Sequence, residues 1–473
     1  MTITRRAVMA TGGLLAAMPR VGWAADAPLT SQRPAPKDRR FVSPAVEREI
    51  VRVGRRIGDP ELRWMFENCY PNTLDTTVKM GVVVDGKPDA FVITGDIPCL
   101  WLRDSAAQVR PYLHLVKTDP KLKELFRGLI ARQARSILID PYANAFMEDP
   151  TAKSDLEWSQ SDRTDMKPGV GERKWEVDSL CYAMRLAHDY WSTTRDPRPF
   201  DATWAQSARA IVRTFREQQR KDGPGPYRFQ RSAPQPSETL QAGYGAPTRK
   251  VGLIHSGFRP SDDACTYPFL IPSNVFAVTT LRELAVVAQG ARQDAGLAAD
   301  ASALADEVER ALREYGTMTL RDGRRVWAYE VDGFGNAAFM DDANVPSLSG
   351  LAFLGCVRAD EPLWRATAAA AWSDANPWFF RGKAGEGIGG PHVGEGQIWP
   401  MSIIMRAFSA TDDATIRRCL AVLKATHGGT GFMHESFDQD DPKTFTRSWF
   451  AWANGLFGQL IVHLATTRPQ LLG

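Results

Sequence analysis

The sequence predicts an all-α protein: six helix pairs closed into a toroid, an (α/α)6 barrel, with a small β-hairpin insertion. Two observations predict this. Hydrophobic periodicity marks about twelve helices in six pairs, the first member of most later pairs apolar and the second amphipathic and charged. The apolar member is introduced, again and again, by a loop rich in Asp, Glu, Arg and Trp. A helix pair that cannot bury its own apolar face must stack on neighbours, and a spacing of roughly fifty to eighty residues is too long and irregular for an open solenoid. Closure puts the apolar helices inside, the charged ones outside, and the loops at one end around a central pocket.

Residues 1–27 read MTITRRAVMATGGLLAAMPRVGWAADA. Arg5-Arg6, the apolar run from Ala7 to Met18 and the small residues after it have the form of a twin-arginine export signal, so the mature protein is expected to be periplasmic or secreted. Elsewhere no apolar run of membrane-spanning length is read. Residues 28–44 form a Pro/Arg-rich linker, and residues 45–473 a single domain. Helical patterning begins near Ala45. Asn72 to Ile93 reads as a strand pair around an Asp-Gly turn (VVVDGKPDAFVI). TGDIPCLWLRDS then leads AAQVRPYLHLV, with KLKELFRGLIARQARSILI as its partner. WEVDS leads LCYAMRLAHDYWSTT, paired with AQSARAIVRTFREQQR. GFRPSDDACTYPFLIPSN leads NVFAVTTLRELAVVAQG, paired with ASALADEVERALREYG. FMDDANVPSLSGLAFLGC precedes PLWRATAAAAWS, GGPHVGEGQIWP leads MSIIMRAFSA, and MHESFDQDDPKTFTRSWFAWANG leads LFGQLIVHLATT. Pro272, Pro346 and Pro400 are expected to open inner helices. Near Val326, RVWAYEVDG reads as strand.

Hydrophobic residues make up 44% of the chain, enough for a packed core, and the net charge of +3 argues against nucleic-acid binding. The six cysteines are widely separated with no Cys-x-x-Cys, and the seven histidines show no zinc-ligand spacing. No metal or other cofactor is expected, and the thiols are expected to be free and buried. Fourteen tryptophans suit the apolar faces of sugar rings or other flat ligands.

The loop from His255 to Val278 carries the adjacent Asp262 and Asp263, with Arg259 the nearest cation to answer them. Such a pair is either a helix cap with surplus charge or the wall of a pocket. Glu435 lies in GFMHESFD, beside Phe432, Met433 and Phe437, a setting that tunes a carboxylate. Two carboxylates from well-separated loops are the equipment of glycoside hydrolysis. Arg103-Asp104 can grip hydroxyls or form a buried ion pair at a helix start. Trp175, Glu176 and Asp178, and likewise Asp341, Asp342 and Asn344, can bind substrate or serve packing and caps. His392, Glu395 and Gln397 contact substrate or face solvent. Arg447, Trp449 and Trp452 wall the pocket or belong to a core helix.

Six motifs in order, TGDIPCLWLRDS, WEVDS, SGFRPSDDACTY-x-FLIPSN, MDDANVPSL, GPH-x(6)-WP and MHESF-x(7)-FTR-x-WFAWAN, resemble glycoside hydrolase family 125 from about Val42 to Leu464. The resemblance implies an (α/α)6 barrel and a metal-independent, inverting exo-α-1,6-mannosidase acting on terminal mannose of mannosides or glycans. It implies a general acid in SDDA, assigned to Asp262 over Asp263 by motif alignment, and a general base at Glu435. Arg103 and Asp104 match the pocket for the terminal mannose. Trp101, Trp175, Asp178, Arg259, Asp263, Asp341, Asp342, Asn344, His392, Arg447 and Trp449 lie in the matched motifs and are candidate substrate contacts. The expected partner is a mannose-containing oligosaccharide, with no nucleic acid, membrane or obligate protein partner. Cys99 and Val275 depart mildly from the pattern. A non-catalytic carbohydrate-binding toroid, a polysaccharide lyase and a terpenoid-cyclase-like barrel are the alternatives, the last weakened by the lack of an Asp-Asp-x-x-Asp run.

Overall fold

The computed structural model describes residues 29–81, 85–232 and 236–473. Among them are thirteen α-helices: α1 (Pro44–Gly54), α2 (Pro60–Cys69), α3 (Asn72–Thr76), α4 (Leu102–Val109), α5 (Pro120–Ile139), α6 (Val177–Thr194), α7 (Ala202–Gln218), α8 (Ile271–Arg292), α9 (Ala295–Tyr315), α10 (Pro362–Ala371), α11 (Pro400–Ser409), α12 (Asp413–Ala425) and α13 (Ala451–Thr467). The inner ring runs α8–α6–α4–α13–α11, each packed on the next. The outer layer is α2, α5, α7, α9, α10 and α12; α5 packs on α7, α7 on α9, α9 on α8, α12 on α11, and α2 on α12 and α13. Helices α8 and α13 are buried around most of their circumference, as elements inside two layers must be. Helix α8 is long and apolar enough to cross a membrane by composition, but it is a buried core helix here.

The two layers start their helices differently. Five outer helices carry an aspartate cap: Asp59, Asp119, Asp201, Asp294 and Asp412 each accept backbone N–H bonds from the first turn. That is the ordinary device, worth about 1 kcal/mol each. The five inner helices begin at Trp101, Glu176, Leu270, Trp399 and Phe450, none of which makes a side-chain cap. The residues at the inner helix starts are therefore free for another use.

The sixth inner position departs from expectation. Pro346 opens no α-helix; residues 347–356 run as single turns, with Leu354 N bonding Gly350 O at 3.0 Å and Cys356 N bonding Leu351 O at 2.9 Å. Asp341 takes the amides of Leu348 and Ser349 at 2.7 and 2.9 Å, and Gly355 at φ +71° breaks the run. Leu348, Leu351 and Leu354 still fill the core.

Three smaller differences follow from local chemistry. The stretch read as a strand pair from Asn72 begins with helix α3, and its ladder is Val78–Met80 against Ala90–Val92. Asp85 and Gly86 make the turn at φ +52° and +76°, while residues 82–84 lie outside the described residues. The helix read through AAQVRPYLHLV stops at Val109, and Arg110–Leu115 is a 3-10 helix, because Pro111 cannot donate into an α-helix. Residues 31–473 form one compact unit that includes most of the stretch read as a linker: Arg33 bonds Asp75 at 2.7 Å and pairs with Glu47. The export motif at residues 1–27 lies outside the described residues. Strands Arg325–Trp327 and Glu330–Val331 occupy RVWAYEVDG, and all six cysteines are free, five of them buried.

Candidate active site

The pocket lies where the inner helices start. Trp101, Arg103 and Asp104 reach it from the start of α4, Trp399 from α11, and Phe450 and Trp452 from α13. Loops add Thr94, Ile97, the Pro260–Asp262 turn, Asn344, His392, Glu435 and Arg447. Its cavity volume is about 60 Å³, a narrow slot. A larger surface groove beside α10, lined by Trp364, Arg406 and Asp412, holds none of this constellation.

Asp262 sits in a tight turn. Asp262 N donates to Arg259 O at 2.9 Å, Arg259 N to Asp263 O at 2.7 Å, and Phe258 bridges Ala264. Its φ of +72° is costly for a residue with a Cβ, and such strain is found where function needs it. The turn brings Asp262 to the pocket wall and leaves Asp263 off it. Burial raises the Asp262 carboxyl, but Lys174, Arg103, His392 and a hydrogen bond from Glu176 outweigh it and hold it below the ordinary range. Asp263 is the one pushed up, to about 6, by burial, with the Asp342 charge adding. Arg259 makes no direct side-chain bond to either aspartate, although its charge draws Asp263 down against burial: its Nε donates to Glu330 Oε1 at 2.6 Å and its guanidinium lies over Tyr329. Glu330 also accepts the amides of Thr266 and Tyr267 at 3.0 Å, so the Arg259–Glu330 pair braces the loop from behind.

Arg103 is buried among carboxylates. Its Nη1 lies 2.7 Å from Glu176 Oε2 and 3.2 Å from Asp178 Oδ2, and its Nε 3.4 Å from Asp104 Oδ2. One guanidinium cannot neutralise three buried acids, and the acids respond. Burial lifts Glu176 well above its usual value, Asp178 to about 6, and Asp104 upward, with the Asp262 charge adding to Glu176 and Asp104. Arg103-Asp104 is thus a buried ion pair that also faces the pocket; Asp178 stands behind it.

Glu435 precedes the strand Ser436–Asp438, which lies between Gln397–Ile398 and Phe445–Thr446. Arg447 Nη1 approaches Glu435 Oε1 to 3.7 Å, and Arg447 Nε lies 3.7 Å from Asp96. Met433 N donates to Asn454 of α13 at 2.8 Å, and His434 stacks on Phe445, so both sides of Glu435 are held.

The other sequence candidates divide. Trp101, Asn344, His392 and Arg447 line the pocket. Asp342 sits behind it, accepting Ser261 Oγ at 2.6 Å and Asn344 N at 3.0 Å. Asp341 holds the 347–350 turn, and burial pushes it up to about 7. Trp175 is core, its Nε1 donating to His255 O at 2.7 Å. Trp449 packs half-buried near Gly95, outside the lining; Glu395, which is exposed, and Gln397 also lie outside it. Trp399, Thr94 and Phe450 line the site although sequence reasoning assigned them nothing; the Trp-Pro start of α11 was the available signal for Trp399.

Buried polar groups in folded proteins almost always find partners. Here Thr94 Oγ1, Asp262 Oδ1 and Trp399 Nε1 on lining residues find no hydrogen-bond partner in the protein, and Arg103 Nε and Asp104 Oδ2 meet only each other, as an ion pair at 3.4 Å. Donors and acceptors alternate among aromatic faces, a surface suited to a hydroxyl-rich ring. Among the described residues no group of three or more His, Cys, Asp or Glu is arranged around a metal site.

Residues 59–462 match the family model for metal-independent α-mannosidases, GH125. The Meiotically up-regulated gene 157 protein of Schizosaccharomyces pombe is 41% identical across 94% of this chain and 90% of that protein. A Streptococcus pneumoniae structure from a family of metal-independent α-mannosidases, a non-productive complex with α-1,6-mannobiose, is 39% identical with a TM-score of 0.86, over 91% of this chain and all of that one. A GH78 rhamnosidase of Bacillus sp. GL1 shares the fold alone, at 12% identity and a TM-score of 0.54 over 87% of this chain and 35% of that one. The motif order, the barrel and the family match agree: this chain belongs to glycoside hydrolase family 125, the metal-independent α-mannosidases.

Proposed function

We propose that this α-mannosidase releases terminal α-1,6-linked mannose from the non-reducing end of mannosides or glycans, by single displacement with inversion. Asp262 protonates the departing glycosidic oxygen. Glu435 takes a proton from water, which attacks the anomeric carbon from the opposite face. Arg103 and Asp104 hold hydroxyls of the terminal sugar, Trp101, Trp399 and Trp452 wall its ring, and Arg447 orients Glu435. The observation that carries this reading is that Asp262 and Glu435, 173 residues apart in the chain, line one small pocket in which several buried polar atoms, Asp262 Oδ1 and Trp399 Nε1 among them, lack hydrogen-bond partners. The α-1,6-mannobiose bound by the Streptococcus pneumoniae relative supports the linkage.

The purified protein, given α-1,6-mannobiose with and without EDTA and followed by proton NMR, should release β-mannose first and at equal rates. Initial α-mannose, or activity lost to EDTA and restored by calcium or zinc, overturns the mechanism. We further propose twin-arginine export to the periplasm, on the strength of Arg5-Arg6 and the run that follows. Lys-Lys at these positions should retain the protein in the cytoplasm; unaltered periplasmic accumulation overturns the assignment.

A further inference from the structure

Lys174 stands just ahead of α6 and is 4% exposed. Among the described residues its ammonium makes one hydrogen bond, from Nζ to the backbone carbonyl of Asp262 at 2.9 Å, and no other donor meets that carbonyl. The neighbouring carboxylate, Glu172, lies 4.0 Å away and is already taken: its oxygens accept Trp158 Nε1 at 3.1 Å, Arg231 Nη2 at 3.0 Å and Asn144 Nδ2 at 3.0 Å. The Phe258 ring flanks the ammonium, its centroid 5.2 Å from Nζ. A buried ammonium is costly unless it is closely paired, and this one spends its only hydrogen bond on a backbone carbonyl in a turn. Neither a helix cap nor an ordinary ion pair accounts for it. We propose that Lys174 positions the general acid: its ammonium locks the peptide plane that follows Asp262 and so aims the carboxyl at the glycosidic oxygen.

The peptide group is planar, so a held carbonyl fixes ψ of its own residue and φ of the next. On the other side of the Asp262 Cα, the Asp262 N–H is held by Arg259 O at 2.9 Å. Both peptide planes that flank the Cα are then fixed, and together they set the direction of the Cα–Cβ bond. This matters because φ is +72°, a conformation that a residue with a Cβ keeps only when its surroundings impose it. Lys174 is itself placed by backbone contacts. Its N–H donates to Asn144 Oδ1 at 3.1 Å, and the carbonyl of the next residue, Trp175, takes the amides of Gly257 and Phe258 at 3.1 and 3.0 Å. The segment before α6 is thus joined to the stretch that enters the Asp262 turn. Lys174 is not part of the pocket lining, so it acts through Asp262 and is a positioning residue. This inference rests on the assignment of Asp262 as the acid.

Lys174→Met removes the ammonium and keeps an apolar stem beside Phe258. Its rates are compared on α-1,6-mannobiose, whose leaving group needs a proton, and on 2,4-dinitrophenyl α-mannoside, whose leaving group does not. Burial raises the Asp262 carboxyl and the charges of Lys174, Arg103 and His392 draw it down, so each protein is assayed at its own pH optimum. Expected is a loss in kcat of about 30-fold or more on the disaccharide and at most about 3-fold on the aryl mannoside, with KM for both within about 3-fold of wild type. Equal losses on both substrates would mean that Lys174 only packs. A loss carried by KM alone would mean that it serves binding, and no loss on either substrate would remove it from the reaction. Each of these overturns the proposal. If the methionine variant does not fold, Lys174→Gln serves, being shorter and uncharged: a disaccharide-to-aryl rate ratio equal to wild type overturns the proposal, and a lowered ratio supports it. Asp262→Asn is run alongside. If it hydrolyses the disaccharide as wild type does, the assignment of the acid fails, an outcome distinct from failure of Lys174.

Discussion

Ser261 Oγ donates a 2.6 Å hydrogen bond to Asp342 Oδ2, fastening the turn that carries Asp262 to the loop that carries Asn344. Both partners are buried, and Asp342 also takes the Asn344 amide at 3.0 Å. The tether joins two parts of the chain that contribute to one pocket wall.

Asp342→Ala should therefore cost more activity than stability. It leaves the Ser261 hydroxyl and the Asn344 amide unmet, a penalty of about 1–3 kcal/mol. It also frees the turn that aims Asp262, and a displacement of about 1 Å at a reacting group can lower the rate by about 100-fold. Steady-state kinetics on α-1,6-mannobiose beside thermal melts separate the two effects. A lowered melting temperature with kcat intact would show that the tether does not position the acid.

Asp262→Asn and Glu435→Gln should each reduce turnover by about two orders of magnitude or more while disaccharide binding by titration calorimetry stays near wild type. Asp263→Asn is the contrast: its side chain is off the pocket wall, so its loss of turnover should be clearly smaller. If Asp263→Asn is as damaging as Asp262→Asn and more so than its effect on stability explains, the roles of the two adjacent residues are reversed.

The barrel was legible because its two layers differ in pattern: the inner helices are apolar and follow acidic, Trp-rich loops, and the outer ones are amphipathic. The turns at 347–356 were not, since SLSGLAFLGC has the apolar content of an inner helix and only the capture of the Leu348 and Ser349 amides by Asp341 shows otherwise. Asp262 and Glu435 could be picked out as unusual carboxylates in aromatic loops. The partner of Arg259 could not, because Glu330 is 71 positions away and reaches it only through the fold. The same holds for the Arg103–Glu176 contact, which joins the starts of two helices that no local pattern relates. Trp175 and Trp101 look alike in sequence, each ahead of an inner helix, and both are buried; only the fold shows that Trp101 lines the pocket while Trp175 bonds His255 O in the core.

Gly458 in α13 offers a test of packing between the layers. In an exposed helix, Ala in place of Gly is worth about 1 kcal/mol of stability. Here a Cβ on Gly458 would stand 2.7 Å from the Tyr70 ring and 2.8 Å from its Cα, where α13 meets the end of α2. Tyr70 is buried between Phe66 and Tyr112 and has nowhere to go. Gly458→Ala should destabilise the protein by about 1–3 kcal/mol, read by denaturant unfolding. A gain in stability would show that the helices approach less closely than described.

Glu283 on α8 gives the pH dependence of stability a distinct sign. Its carboxylate lies 4.0 Å from Arg185 and 3.6 Å from His188, both on α6, with Asp189 and Arg110 also nearby. Burial pushes Glu283 up to about 7, the Asp189 charge adding and the two arginines opposing. A carboxyl whose folded value exceeds its unfolded one binds protons on folding; its contribution is complete below the unfolded value and fades as pH rises through about 7. His188 acts in the other sense. Burial, and the charges of Arg185 and Arg195, hold it below its ordinary value despite Asp189, so it contributes most above that value and loses its contribution as pH falls. Glu283→Gln removes the first effect and keeps the second. The melting temperature of the variant minus that of wild type should therefore rise steadily between pH 5 and pH 8, by an amount corresponding to roughly 2–3 kcal/mol at most. Other acids raised by burial, Asp178 and Asp341 among them, are common to both proteins and cancel in this difference. A difference that is flat across this range, or that falls, would mean that Glu283 is already ionised at pH 5, paired with Arg185 and His188 as an ordinary salt bridge.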